Sequence, residues 1–189
     1  RISLTEWVTI WETGHQAGPA KRATYDSYLR THILPYFGAT PITKITRQDA
    51  KVFVKHLKQR LADRTVADVM SLLSLLLREA VADRRISFNP AHGIRVSTGH
   101  RVERSPATAQ QINRITDCIR RRSDQILVIT AAYTGMRWGE LAGLAKANTH
   151  LGDGLLSIHP QVGALHEVGG QLYLGPPNPR PPSATSTCP

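Results

Sequence analysis

The first ninety residues of the chain carry the hydrophobic spacing of amphipathic helices. Apolar side chains recur at intervals of three and four residues, which places them on one face of a helix. The most regular series is Val66, Val69, Leu72, Leu73, Leu76, Leu77 and Ala80. Because short links separate four such stretches, we expect a compact four-helix bundle over residues 1–90.

Polar residues and prolines mark where these helices begin and end. Ser3 and Thr46 each precede an acidic residue by three positions, which is the spacing of a capping box at the start of the first and third helices. The second helix is predicted from about Arg22 to Ile33. It should end there because the residue before Pro35 disfavours the helical conformation.

Beyond residue 90 the pattern changes. Residues 91–104 are polar and include five Arg or His residues, so they predict a basic linker. Residues 105–175 predict two helices and then three short strands separated by Asp153-Gly154 and Gly169-Gly170 turns. Residues 176–189 contain almost nothing apolar and predict a disordered tail.

The strands are expected at residues 155–159, 162–167 and 171–174. The fold class that follows is mainly α: a helical bundle, then an α+β domain with a small antiparallel sheet.

Composition excludes several classes of protein. The chain has 189 residues, of which 41% are apolar, and no apolar run is long enough to span a membrane. Its start reads as an amphipathic helix without a Met, so we expect a longer reading frame and no signal peptide. Cys118 and Cys188 lie in different contexts, which favours a reducing, cytoplasmic location without a disulfide. The eight His residues show no ligand cluster, so no metal or other cofactor is predicted.

Charge points to a polyanionic partner. The formal net charge is +10, and residues 1–104 hold 17 basic against 9 acidic side chains. A basic stripe with helical spacing lies on the third helix and consists of Arg47, Lys51, Lys55 and Lys58. Further DNA-binding candidates at a helix start and in the linker are Lys21, Arg22, Arg95, Arg101 and Arg104. The alternative is a solvated helix face on a merely soluble basic domain.

One segment carries candidate chemistry. Its sequence is Thr134-Gly135-Met136-Arg137-Trp138-Gly139-Glu140-Leu141. An apolar helix stops at Gly135, and Arg137 then opens a new helix, where backbone N–H groups favour an anion. A guanidinium binds phosphate through a planar fork of donors. The alternative is that Arg137 and Glu140 are a simple exposed ion pair one helical turn apart.

Together these features resemble the tyrosine recombinases of the phage-integrase type. The resemblance covers residues 3–175. It comprises a four-helix (SAM-like) core-binding domain whose last helix ends in Asn89-Pro90, a basic linker, and the N-terminal part of a truncated α+β catalytic domain over residues 105–175, which holds the T-G-x-R-x-x-E-L motif and a small sheet. It implies that Arg137 grips the scissile phosphate and that Glu140 supports the site. It also implies that the N-terminal domain binds double-stranded DNA and that the chemistry needs no metal.

The chain departs from the family after Arg137. Asn178 stands where the family has a lysine, and no His-x-x-Arg follows Arg137. The family's nucleophilic tyrosine is also missing, since Tyr173 alternates with leucines in a strand and is expected to be a packing or surface residue. We therefore predict no autonomous strand cleavage, because covalent catalysis requires the nucleophile. Whether the chain is an enzyme stays open at this point.

Three interpretations of the chain remain. The first is a truncated integrase, a DNA-binding remnant or prophage pseudogene product whose tail from Asn178 reads like a frameshifted translation. The second is a non-catalytic DNA-binding regulator that competes with an intact recombinase. The third is a helical interaction module without a DNA role, which fits the charge and Arg137 poorly. In addition to DNA, an intact recombinase that lends its tyrosine is a candidate partner. The helices missing from the second domain predict exposed hydrophobic surface.

Overall fold

The computed structural model describes residues 2–97 and 105–179. The chain divides into two compact units, Arg1–Glu103 and Arg104–Pro189, which are treated separately here. Among the described residues, no helix is long and apolar enough to cross a membrane.

The first unit is helical, as predicted. Its α-helices are α1 (Leu4–Gly14), α2 (Pro19–Tyr28), α3 (Leu34–Phe37), α4 (Arg47–Lys58) and α5 (Asp63–Ala82). A π-helical turn at Leu29–Ile33 joins α2 to α3, so these two pieces form one continuous helical segment. Counted in this way, the unit is the four-helix bundle that the sequence predicts. A 3₁₀ turn at Ile42–Lys44 precedes α4.

Both predicted capping boxes are present. The Ser3 hydroxyl accepts the backbone N–H of Glu6, and the Ser3 N–H donates to the Glu6 carboxylate at 2.7 Å. Thr46 and Asp49 form the same reciprocal pair at the start of α4. Hydrogen bonds from the backbone N–H and the hydroxyl of Ser3 lower the pKa of Glu6. Those from the hydroxyl and the backbone N–H of Thr46 lower the pKa of Asp49.

The predicted second helix is wrong at both ends. It starts at Pro19, which occupies the first helical turn, and the helical path continues past Pro35 to Phe37. A proline normally ends a helix because it has no N–H to donate to the carbonyl four residues earlier. Here the N–H of Leu34 already reaches back five residues to the Leu29 carbonyl. This wider turn changes the hydrogen-bond register just before Pro35, so the helix passes through the proline.

The core of the first unit is built around α5. The buried side chains of α5 belong to Val66, Val69, Met70, Leu72, Leu73, Leu76, Leu77 and Ala80. The indole N–H of Trp7 on α1 donates to the Leu76 carbonyl at 2.9 Å, which satisfies a buried donor and ties α1 to α5. Phe53 and Leu57 of α4 complete this core.

The predicted linker begins later than residue 91. Ala91 is buried, and Ile94 and Val96 pack against the core of the first unit. The side chain of Asn89 holds the turn, because it donates to the Ser74 carbonyl and accepts the N–H of Ala91 at 2.9 Å each. Apolar packing thus overrides the polar composition of this segment. The rest of the predicted linker, residues 98–104, lies outside the described residues.

The described part of the second unit, residues 105–179, combines three α-helices with two small sheets. The helices are α6 (Ala109–Asp117), α7 (Arg122–Thr134) and α8 (Trp138–Ala142). The strands are β1 (Thr149–His150), β2 (Leu155–Leu156), β3 (Ala164–Val168) and β4 (Gln171–Gly175). β1 pairs with β2 and β3 with β4, both antiparallel, so the described strands form two sheets instead of the single sheet expected.

The strand predictions are right for the β3–β4 hairpin and incomplete before it. Gly169 and Gly170 form its two-residue turn with φ of 59° and 79°, as expected for the commonest hairpin turn. The predicted strand 155–159 shrinks to Leu155–Leu156, and its partner β1 was not predicted. Two-residue strands are too short to show the alternation on which strand prediction depends.

Exposed apolar surface in the second unit is confirmed. None of the thirteen residues of α7, all within the described part of the chain, is buried. Ile126, Ile129 and Tyr133 of this helix are 55%, 42% and 60% exposed, and Trp138 next to it is 67% exposed. Exposed apolar side chains that are contiguous in this way are typical of a surface that binds another part of a protein or a partner.

Candidate nucleic-acid interface

Arg137 lies at a sharp junction between two helices. Gly135 ends α7 in the left-handed conformation, with φ of 64°, and its N–H donates to the Ala131 carbonyl. The chain then turns so that Arg137 is the residue before α8. The position of Arg137 between two helices is therefore determined locally, as the sequence predicts.

Two glycines that sequence reasoning missed bring α8 onto the β3–β4 hairpin. A Cβ added at Gly139 would lie 2.6 Å from the carbonyl oxygen of Leu165, and one at Gly143 would lie 2.9 Å from the Leu165 nitrogen. Any larger residue would push α8 away from β3. The four-residue spacing of these glycines is the signal that could have revealed this close packing.

Glu140 is the buried partner of Arg137. The Glu140 carboxylate accepts the backbone N–H of Arg137 at 2.9 Å, and its other oxygen lies 3.4 Å from Nη1 of the guanidinium. The Glu140 side chain is 3% exposed, whereas that of Arg137 is 42% exposed. This geometry does not fit the alternative of a simple surface ion pair, which holds both charges in water.

The expected anion site at the helix N-terminus is not available in the form predicted. Helix α8 has only five residues, and the anion at its first turn is the chain's own Glu140 carboxylate. The group at this junction that suits a phosphate is the guanidinium of Arg137, which lies against Glu140 and reaches solvent.

The backbone carbonyls of Asn178 and Pro179 face the same guanidinium. Nη1 of Arg137 donates to the Asn178 carbonyl at 2.6 Å, and Nη2 lies 3.4 Å from the Pro179 carbonyl. Asn178 is thus next to Arg137 through its backbone. Three of the four described residues of the tail predicted to be disordered, Pro176, Asn178 and Pro179, make defined contacts through their carbonyls. Residues 180–189 lie outside the described part.

His166 holds the other end of this segment. Its Nε2 lies 2.9 Å from the Pro176 carbonyl, and its ring stacks on Tyr173, with 5.3 Å between ring centroids. The two residues are cross-strand partners in the β3–β4 hairpin. Tyr173 is 38% exposed, in agreement with a packing or surface position.

The basic stripe on α4 is exposed along its length, but its members differ in their contacts. Arg47 donates from Nη1 to the His92 carbonyl, and Lys58 forms an ion pair with Asp63 at 3.0 Å. Lys51 and Lys55 make no ion pair or hydrogen bond through their side chains with any residue that the structure describes. Lys51 and Lys55 therefore present the free ammonium groups of the stripe.

The other predicted basic residues lie apart from the stripe in sequence. Lys21 lies over the Tyr25 ring at 5.5 Å, and Arg22 lines a cavity of about 210 Å³. Arg95 is exposed and follows His92, whose carbonyl Arg47 contacts, by three residues. Arg101 and Arg104 lie outside the described residues.

Sequence reasoning also missed a second basic flank of α4. His56 and Arg60 line a groove of about 510 Å³ together with His32 and Tyr36. Helical geometry places His56 on the side of α4 away from the stripe, with the buried residue Phe53 between them, and Arg60 lies in the turn that follows the helix. Their four-residue spacing was the available signal.

Comparisons with known proteins identify relatives of both units. Residues 3–58 match the family described as Phage integrase, N-terminal SAM-like domain. The chain is 26% identical over 177 residues to the Prophage integrase IntR of Escherichia coli K12, an alignment covering 86% of this chain and 42% of that protein. It is 33% identical over 132 residues to a putative prophage phiRv2 integrase of Mycobacterium tuberculosis H37Rv, covering 69% and 34%. The chain thus spans less than half the length of these relatives.

Solved structures share the fold. The Tn1549 transposon integrase in complex with circular intermediate DNA superposes with a TM-score of 0.69 at 18% identity, covering 93% of this chain and 59% of that one. A lambda integrase tetramer bound to a Holliday junction gives a TM-score of 0.71 at 20% identity, covering 93% and 51%. At these identities the likeness concerns the fold.

Proposed function

The chain belongs to the tyrosine recombinase, or phage integrase, family, and we propose that it acts as a double-stranded DNA-binding protein of the site-specific recombination class. In this proposal the first unit binds duplex DNA, and Arg137 of the second unit contacts a phosphate. The chain does not cleave DNA alone. Binding to DNA fits a cytoplasmic location, which is also what the sequence contexts of the two cysteines favour.

The single observation that carries this proposal is the pair of free ammonium groups on α4. Lys51 and Lys55 are exposed, lie one helical turn apart and belong to the segment that matches the SAM-like domain of phage integrases. Ammonium groups without a protein partner keep their full charge for phosphate. The net charge of the whole chain, +10, adds to the attraction.

The geometry of Arg137 supports the phosphate contact in the second unit. The Arg137 side chain is 42% exposed, and the buried carboxylate of Glu140 lies 3.4 Å from Nη1 of its guanidinium. A cation whose side chain is held in place by a buried partner needs little movement of its own when phosphate binds. Relatives in complex with DNA are known for this fold, namely the Tn1549 and lambda integrases.

The prediction that the chain cannot cleave DNA rests on its tyrosines. Tyr173 is the only one after Arg137, and its ring stacks on His166. A suicide substrate carrying a nicked scissile strand traps a covalent adduct whenever a protein hydroxyl attacks the phosphate. We expect no adduct from this chain under conditions where an intact family member forms one, and an adduct would refute this part of the proposal.

Gel-shift titration of the chain against duplex DNA at two salt concentrations tests the binding itself. We expect binding that weakens steeply with salt, by about 10³–10⁵ between 50 and 200 mM if six to ten phosphates are contacted. Binding that does not change with salt, or no binding by a folded protein, would contradict the proposal.

A second candidate function is competition with an intact recombinase. The observation in its favour is the exposed apolar surface of α7 together with Trp138, which is suited to a protein partner as well as to a missing part of the domain. Adding the chain to an intact integrase that acts on the same DNA site should then inhibit recombination by that integrase. Inhibition that persists when Lys51 and Lys55 are replaced would indicate contact with the recombinase, and its loss would indicate competition for DNA.

A further inference from the structure

Residues 176–179 form a short strap across Arg137. The strap reads Pro176-Pro177-Asn178-Pro179 and follows directly on β4. Three of its four carbonyls have partners: Pro176 faces Nε2 of His166 at 2.9 Å, and Asn178 and Pro179 face Nη1 and Nη2 of Arg137. We propose that the strap is an internal competitor that occupies the phosphate-binding face of Arg137.

The contacts resemble those of a bound phosphate. An Arg fork presents neighbouring N–H donors that two phosphate oxygens accept together. In this chain the two acceptors are carbonyl oxygens of successive residues, at 2.6 and 3.4 Å. Glu140 accepts the backbone N–H of Arg137 and lies 3.4 Å from Nη1 of its guanidinium. The guanidinium N–H groups that remain for a phosphate are therefore the ones that contact the strap.

The composition of the strap suits this role. Each proline fixes its own φ, and proline restricts the residue before it to extended conformations. Little conformational entropy is therefore lost when the strap lies against Arg137. His166 anchors its start, and the β3–β4 hairpin fixes the position of His166.

The strap is a weaker partner for a guanidinium than DNA is. The carbonyls of its four residues are neutral acceptors, whereas phosphate oxygens are charged, so both partners are ionised when a phosphate binds the guanidinium. Phosphate can therefore displace the strap, but its apparent affinity for Arg137 is reduced by the fraction of molecules in which the strap is closed. This inference rests on the proposed phosphate role of Arg137.

The test measures the accessibility of Arg137 directly. Phenylglyoxal modifies accessible guanidinium groups, and peptide mass spectrometry gives the rate at Arg137 separately from other arginines. In the full chain, replacing Pro177 and Pro179 by glycine frees the strap and should raise this rate about 4- to 30-fold, the range expected from two proline-to-glycine changes. Exposed Arg114 is the internal reference, and Pro160→Gly is the matched control in a turn of the same unit.

A second variant covers the case in which the glycines perturb the hairpin. Ending the chain at Gly175 removes the strap and should raise the Arg137 rate at least as much, with thermal unfolding used to verify that the variant is folded. An unchanged rate at Arg137 in both folded variants overturns the strap proposal.

Adding duplex DNA to the same experiment separates this inference from the proposed function. Protection of Arg137 by DNA in the glycine variant, together with a raised rate without DNA, supports both proposals. A raised rate without protection supports the strap and refutes the phosphate role of Arg137. Protection with an unchanged rate refutes the strap alone.

Discussion

Replacing Lys51 and Lys55 together by alanine should reduce the salt dependence of DNA binding by an amount that can be calculated. Both side chains are exposed on α4 and have no ion-pair partner among the described residues. Alanine favours a helix, so the change should leave α4 and its capping box in place. The perturbation therefore removes two charges and little else.

The magnitude follows from counterion release. Each phosphate neutralised by a lysine contributes about 0.9 to the slope of log affinity against log salt concentration. If Lys51 and Lys55 each contact one phosphate, the slope falls by about 1.8. Raising the salt from 50 to 200 mM weakens binding by both proteins. This fourfold change in salt should weaken binding by the parent about 12 times more than binding by the variant.

Fluorescence anisotropy with a labelled duplex at four or five salt concentrations measures this slope. The matched control replaces Arg64 and Arg78, which removes the same charge from side chains that already pair with Asp68 and Glu79 on α5. We expect the control to change the slope by less than one phosphate contact.

Two results would refute the reasoning. If the lysine variant and the control change the slope equally, the net charge of the chain drives binding and the stripe has no special role. If neither variant changes the slope although the parent binds, DNA contacts another surface, and the groove that contains His56 and Arg60 becomes the next candidate.

Three further predictions concern the scaffold. Leu73→Ala, at a fully buried position, should destabilise the first unit by about 3–5 kcal/mol in urea unfolding; less than 1 kcal/mol would contradict the packing of α5. Gly139→Ala should lower the unfolding free energy of the second unit by about 1–3 kcal/mol, because the added Cβ would lie 2.6 Å from the Leu165 carbonyl oxygen. An unchanged melting temperature would show that α8 does not touch β3. The capping hydrogen bonds lower the pKa of Asp49, so this carboxylate adds stability that is present above its unfolded pKa near 3.8 and is lost as pH falls through the folded pKa. Thr46→Ala should weaken this loss of stability in acid, as measured by unfolding titrations from pH 6 to 2. An unaltered profile would argue against the capping box.

The local features of the first unit could be predicted because they depend on near neighbours in sequence. Both capping boxes join residues three positions apart, and the core face of α5 follows its helical period. The path through Pro35 could not be predicted. It depends on a π-helical turn, which the spacing of apolar residues does not reveal.

The candidate site divides in the same way. Arg137, Glu140 and the α4 stripe were identified from motif and spacing. Their present partners were not, because Arg47 meets a carbonyl 45 residues away and Arg137 meets one 41 residues away. The acceptors in these long-range contacts are backbone carbonyls, which every residue carries, so the residue type at a position does not predict the contact.

Several features follow from the order of the amino acids alone, because each depends on short-range geometry or on simple addition of charges: the helical period, the caps, the turn at Gly135, the glycine hairpin and the excess of positive charge. Other features arise only when the chain is folded. These are which lysines of the stripe remain free, the burial of Glu140 beside an exposed Arg137, and the contact of Asn178 and Pro179 with the guanidinium. Burial and pairing are properties of surfaces that meet in space, and those surfaces are brought together by close approaches such as that of Gly139 to Leu165.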